Sequence, residues 1–187
     1  MIKINELKKS FGDKVIFNGF SAKFDKGTKT LISGSSGIGK TTLLRIIAGL
    51  ESYDGGDVSL PESAEIAIMF QEPRLLPWMN VIGNVNSVLQ KPDIGKAVQI
   101  LEELGLENEL EAMPSELSGG MKRRVSLART LLFPADIYLF DEPFAGLDPA
   151  ISKIAADVLF RHTEGKTVVI VSHDKSMLDD NINTIII

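Results

Sequence analysis

Gly34-Ser35-Ser36-Gly37-Ile38-Gly39-Lys40-Thr41 is the stretch on which the reading of this chain turns. It fits the pattern GxxxxGK[ST], in which backbone N–H groups wrap phosphates, the lysine reaches the outer phosphates and the hydroxyl residue offers Mg²⁺ an oxygen. Average residue usage, with each Gly at roughly 0.07, Lys at about 0.06 and Ser or Thr at about 0.12, predicts fewer than about one accidental match per hundred chains of this length. The flanks agree with the pattern. Thr28 to Ser33 reads as a strand and Thr41 to Ala48 as a helix closed by Gly49, the strand, loop, helix order that a phosphate cradle needs.

A second anion-binding segment lies downstream at Ser118-Gly119-Gly120. Ser118 can cap the helix that follows, the two glycines leave backbone N–H groups open to a ligand, and the helix dipole adds positive potential. Taken alone, such a segment is more often an ordinary helix cap after a loop. Beyond both, Ile137-Tyr138-Leu139-Phe140 forms an apolar strand that runs into Asp141, Glu142 and Pro143. Carboxylates at the carboxyl end of a strand stand where ligands of open α/β sheets bind. Asp141 is the candidate to hold Mg²⁺ through its water shell, and Glu142 the candidate to orient and deprotonate an attacking water.

The 187 residues are 44% hydrophobic and 24% charged, ordinary values for a globular chain that buries a substantial core, so one domain with a subdomain is expected. A net charge of −5 and a pI near 5.1 argue against a nucleic-acid partner, and Lys122-Arg123-Arg124 reads as helix surface. Without cysteine there is no disulfide framework, thiolate metal site or cysteine nucleophile, which suits a reducing cytosol. Met1 to Lys9 lacks the apolar run of a secretory leader, and no stretch approaches the roughly 20 apolar residues of a membrane span. Any membrane role is expected to pass through a partner.

Strands are expected at Ile2 to Leu7, Val15 to Phe24 with a bend near Gly19, Thr28 to Ser33, Asp57 to Leu60 and Glu65 to Phe70. Asn80 to Leu89 and Ile94 to Leu104 carry apolar residues at helical spacing, between breaks at Pro73, Pro77, Pro92 and Pro114. A helix from Ser118 to about Phe133, the strand at 137–140, a helix from about Pro149 to His162, and strands at Thr167 to Val171 and Asn183 to Ile187 follow. That alternation implies a parallel sheet.

With these motifs in this order, the chain resembles the ATP-binding-cassette (ABC) ATPases over essentially its whole length. The resemblance implies an α/β fold: a P-loop NTPase core with a mainly parallel sheet, an antiparallel β-lobe and a small helical subdomain. The core would take in about residues 1–71 and 121–187, the helical subdomain about 72–120. It implies ATP and Mg²⁺ as ligands, with Gly34, Ser35, Ser36, Gly37, Ile38, Gly39, Lys40, Thr41 and Thr42 forming the cradle. Leu117-Ser118-Gly119-Gly120 becomes the family's signature, Gln71 the Q-loop glutamine that shares Mg²⁺ with Thr41 and Asp141, Asp148 the D-loop acid and His173 the switch histidine. Phe11 matches the aromatic that stacks on adenine, although an aromatic near a hairpin is more often core. The lesser alternative for Gln71 is a polar strand end, and for Asp148 a helix cap; in the latter case both roles can coexist. In this family the signature of one subunit closes over ATP on the loop of another, so a head-to-tail dimer, of two copies or with a paired ABC subunit, is implied.

Gln71-Glu72-Pro73-Arg74-Leu75-Leu76-Pro77-Trp78-Met79-Asn80-Val81 is similar to the subgroup that serves importers of nitrate, sulfonates, taurine and related solutes. The function implied is an ATPase subunit on the cytoplasmic face of the cell membrane, bound peripherally to transmembrane permease subunits and indirectly to an extracytoplasmic solute-binding protein. Leu75, Leu76 and Trp78 suit an apolar docking surface for a permease, or packing inside the helical lobe. The short interval from Lys40 to Gln71 implies a trimmed β-lobe. Met121 stands where the family has Gln, and Phe144-Ala145-Gly146-Leu147 precedes Asp148 where Ser-Ala-Leu is usual. A regulatory domain after His173 is not expected. The competing classes are a soluble ABC ATPase acting on a macromolecule and a phosphate-loop kinase; the first lacks the expected coiled coil or second cassette here, and the second leaves Ser118-Gly119-Gly120 and His173 unexplained.

Overall fold

The two longest strands, β1 (Ile2–Phe11) and β2 (Lys14–Phe24), form an antiparallel hairpin, and β4 (Gly55–Ser59) pairs with the other edge of β1. A second sheet has the order β5 (Ile66–Met69), β6 (Ile137–Asp141), β7 (Thr167–Val171), β3 (Lys29–Ser33), β8 (Asn183–Ile186), with every pairing parallel. The computed structural model describes residues 1–173 and 182–187. The α-helices among the described residues are α1 (Lys40–Ile47), α2 (Val81–Asn86), α3 (Ile94–Glu103), α4 (Gly119–Leu132) and α5 (Pro149–His162). The expected strands and helices are present, with ends displaced by up to four residues; β1 runs on from Leu7 to Phe11.

Every residue of β6 and β7 is buried, which accounts for their unbroken apolar runs. Alternation sends neighbouring side chains to opposite faces. Tyr138, Phe140, Val168 and Ile170 enter a core shared with α2–α5, whereas Ile137, Leu139, Val169 and Val171 enter one shared with α1 and the antiparallel sheet. The parallel sheet is therefore the middle layer, and its carboxyl edge is free to carry a site. Tyr138 and Phe140 stack with ring centroids 6.1 Å apart, and the Tyr138 hydroxyl donates to the Phe133 carbonyl at 2.8 Å.

Local chemistry sets the helix boundaries. Gly49, at φ +70°, ends α1: its N–H bonds the Ile46 carbonyl and the Leu50 N–H bonds the Arg45 carbonyl, a Schellman closure. Side chains of Asn80, Asp93, Ser118 and Asp148 cap α2, α3, α4 and α5. The α4 helix packs against α2, α3, α5 and β5, so it touches both the helical segment and the sheet.

Truncating Phe140, fully buried in the middle layer, should cost about 3–5 kcal/mol of stability. Urea unfolding of Phe140→Ala checks this through its midpoint at unchanged slope; a loss below about 1 kcal/mol would contradict the packing described.

Candidate active site

The glycine loop leaves β3 after Ser33 and enters α1 at Lys40, with Gly37 at φ +74° and Gly39 at φ +119°. A β-carbon at Gly39 would lie 2.5 Å from Ile16 Cγ2 and 3.0 Å from Phe17 Cζ, so both its conformation and the β2 hairpin demand glycine. Lys40 is 6% exposed and folds back over the loop, its Nζ donating to the carbonyls of Gly34 at 2.8 Å and Ser35 at 2.9 Å. These bonds seat a cation at the helix N-terminus, where the backbone dipole is also positive.

Across the sheet edge, the Thr41 hydroxyl donates to Asp141 Oδ2 at 2.8 Å. Asp141 Oδ1 is buried and accepts no hydrogen bond among the described residues, as is Glu142 Oε1. Burial pushes both carboxyls above the usual carboxylate range; the Thr41 bond and the charges of Arg45, Lys40 and Arg123 oppose this at Asp141, and the His173 N–H and ring oppose it at Glu142. Buried carboxylate oxygens without donors are the chemistry that a hard cation satisfies, and Mg²⁺ characteristically takes one or two protein oxygens beside phosphates. Thr41 and Asp141 fit that donor set.

Glu142 adopts φ +52°, a left-handed conformation costing a non-glycine residue on the order of 1–3 kcal/mol. Its N–H donates to the Val171 carbonyl at 2.9 Å, and its Oε2 accepts the His173 N–H at 3.3 Å. His173 Nε2 stands 3.5 Å from Glu142 Oε1, a contact too long for a hydrogen bond. The turn after β6 thus aims the second acid, unlike Asp141, toward His173.

A cleft of about 800 Å³ gathers Phe11, Ser36, Gly37, Gly39, Lys40, Thr41, Thr42, Gln71, Asp141, Glu142 and His173. Phe11 is 48% exposed at the tip of the hairpin, with Lys9 Nζ 4.5 Å from its ring centre, so it is not a core aromatic. Gly34, Ser35 and Ile38 belong to the loop without lining the cleft. Ser118, Gly119, Gly120 and Asp148 stand outside it too. Ser118 caps α4 by accepting from the Met121 N–H, and Asp148 caps α5 by accepting from the Ile151 N–H. Gly119 faces open space, whereas a β-carbon at Gly120 would come within 3.3 Å of Leu147 Cδ2. The two glycines are therefore unlike: Gly119 is open to its surroundings, and Gly120 makes room for the loop before Asp148.

The expectation that Lys122-Arg123-Arg124 is plain helix surface fails for the two arginines. Arg123 Nη1 donates to the Glu142 carbonyl at 2.9 Å, and Arg124 Nη1 donates to the carbonyls of Leu104 and Gly105 at 2.7 and 3.0 Å. Arg129 on the same helix holds the carbonyls of Pro73 and Arg74 at 2.8 and 3.0 Å. Charge runs do not reveal such roles, since the acceptors are backbone carbonyls distant in sequence. Trp78 is 70% exposed, which rules out packing inside the helical lobe, while Leu75 does pack on the core. Its loop is held by buried Asn84, whose side chain accepts from the Leu76 N–H and donates to the carbonyls of Leu76, Met79 and Asn80.

The model of the ABC transporter family matches residues 17–145. The aliphatic sulfonates import ATP-binding protein SsuB of Rhodopseudomonas palustris (strain BisA53) is 39% identical over 184 residues, a match that takes in 92% of this chain and 65% of that protein. SsuB 1 of Paracoccus denitrificans (strain Pd 1222) is 38% identical over 178 residues, covering 92% of this chain and 73% of that protein. This chain thus spans slightly under two thirds of the first relative and somewhat more of the second. A solved dimeric ATP-binding cassette in a post-hydrolysis state, bound to ADP and Pi, superposes with a TM-score of 0.84 at 26% identity over 95% of this chain and 90% of that one. With the family model matched from the β-hairpin through the acid-terminated strand, the chain belongs to the ABC transporter family.

Proposed function

We propose that this chain is the ATP-hydrolysing subunit of a membrane importer for a small solute, working as a head-to-tail pair of cassettes. The observation that carries the reading is the Thr41–Asp141 hydrogen bond beside the glycine loop, with donorless oxygens of Asp141 and Glu142 buried at the same cleft. Lys40 and the loop N–H groups bind the phosphates, Phe11 stacks on adenine, and Thr41, Asp141 and Gln71 hold Mg²⁺. Bound there, Mg²⁺ supplies positive charge to the phosphates during transfer. Glu142 takes the proton of the attacking water, its basicity raised by burial, and His173 orients the outer phosphate and that water.

Ser118, Gly119 and Asp148 do not line the cleft of their own chain and Gly119 has open space beside it, which supports the view that they complete the site of a second copy or paired ABC subunit. The core at about 1–71 and 121–187 carries the nucleotide, and the helical subdomain at about 72–120 carries the contact with transmembrane permease subunits. Exposed Trp78, on a loop pinned by Asn84, is the apolar feature for that contact. No helix among the described residues is long and apolar enough to cross a membrane, in keeping with peripheral attachment to a permease at the cytoplasmic face. The names of the relatives favour sulfonates as the solute class, delivered by an extracytoplasmic solute-binding protein. The net charge of −5 argues against a nucleic-acid partner.

Three outcomes test this reading. Lys40→Ala should weaken ATP binding about 100-fold in calorimetry, because a charged donor at the phosphates is lost; unchanged affinity would contradict it. Glu142→Gln should bind ATP normally, turn over roughly 10²- to 10⁴-fold more slowly and accumulate as an ATP-dependent dimer in gel filtration; normal phosphate release would remove Glu142 as the base. Trp78→Ala should fold and hydrolyse ATP alone while failing to co-purify with a permease from detergent-solubilised membranes, and normal co-purification would move the contact elsewhere.

A further inference from the structure

One half-buried cation in the middle of the molecule is not used by the nucleotide chemistry above. Arg123 lies in the second turn of α4, five positions after the capping Ser118, and is not among the described residues that line the cleft. Its Nη1 donates to the main-chain carbonyl of Glu142 at 2.9 Å. That carbonyl also accepts the Ala145 N–H at 3.2 Å, and the Glu142 N–H is spent on Val171. Glu142 therefore holds its left-handed backbone between two anchors on the chain's own turn and strand, and one guanidinium from a different element.

We propose that Arg123 is a positioning residue for Glu142, locking the backbone that aims the base and tying the signature helix to it. This rests on the ATPase reading. The tether acts through a carbonyl, not the carboxylate, so it governs where the side chain begins and takes neither of its two oxygens. Because the same helix starts at Ser118-Gly119-Gly120, a displacement of its first turns is carried to the Glu142 backbone through a bond between charged donor and carbonyl, which is stronger and more directional than apolar packing. Neighbouring Arg124 and Arg129 do not share the role, since their acceptors lie at the end of α3 and in the loop after Gln71.

The test compares the full chain with Arg123→Ala and Arg123→Lys in steady-state ATP turnover and in amide hydrogen exchange of the peptide covering residues 141–147. Arg123→Ala should lower kcat by about 10- to 100-fold with KM for ATP within about threefold, since a misplaced base costs rate and not ground-state binding. Exchange should quicken at 144–147, where the Ala145 N–H bonds the Glu142 carbonyl, and stay unchanged in α1. Arg123→Lys, which keeps a cationic donor on a long stem, should recover at least about a third of kcat and restore the protection. The proposal is overturned by wild-type kcat in Arg123→Ala, by unaltered exchange at 144–147, or by exchange rising across the whole chain in both variants, which marks a general fold contact. If instead the unaltered chain shows no ATP turnover, the ATPase reading falls first and the positioning role with it.

Discussion

The hydrogen bond from Thr41 to Asp141 joins two segments that lie a hundred positions apart, and the site's geometry depends on it. Thr41 opens α1 directly after the glycine loop; Asp141 ends β6. Strand β7 separates β3 from β6 in the sheet, so the two segments meet above its end and not by strand pairing. They meet because all five strands are parallel, which brings every strand end to one edge, and because α1 packs on β6 and β7. A carboxylate carried there by a fully buried strand cannot retreat into water. It accepts a hydroxyl on one oxygen and keeps the other for a ligand, a condition that is unfavourable without one.

From that fixed point, the remaining parts divide between strand ends and helix starts. Glu142 and His173 follow β6 and β7, Gln71 follows β5, and each is placed by a strand that has no freedom to shift register. Ser118 and Asp148 are helix caps whose side chains are engaged by their own helices, leaving the backbone of Gly119 as the exposed donor face of α4. The α4 helix is the connecting element. Its arginines at 123, 124 and 129 take carbonyls from the turn after β6, the end of α3 and the loop after Gln71. Buried carbonyls outside regular structure need donors, and a long forked cation reaches them where no N–H does.

Much of this was legible in the chain itself. The apolar runs 137–140 and 167–171 announced buried parallel strands, Gly49 announced the end of α1 through its left-handed closure, and Pro149 after Asp148 announced the start of α5. Less was legible where tertiary contacts overrode local pattern. The β1 strand runs past Leu7 because β2 pairs with it as far as Phe11, with β4 joining at Lys8, which no property of Lys8 to Phe11 reveals. The basic run 122–124 looked like solvated helix surface because its acceptors are backbone carbonyls, and these leave no mark in the side-chain sequence.

By itself the sequence determined the local elements: a glycine loop with Lys40 and Thr41, an acid pair after an apolar strand, and a second glycine pair at a helix start, all patterns whose conformations follow from backbone sterics and capping. The tertiary structure alone decided which of these share a cavity. It joined Thr41 to Asp141, kept Ser118-Gly119-Gly120 outside the cleft of its own chain, exposed Trp78 and turned Arg123 inward to Glu142. The physical reason is that local patterns specify short-range geometry, whereas proximity between distant segments is set by how the sheet's two faces are covered.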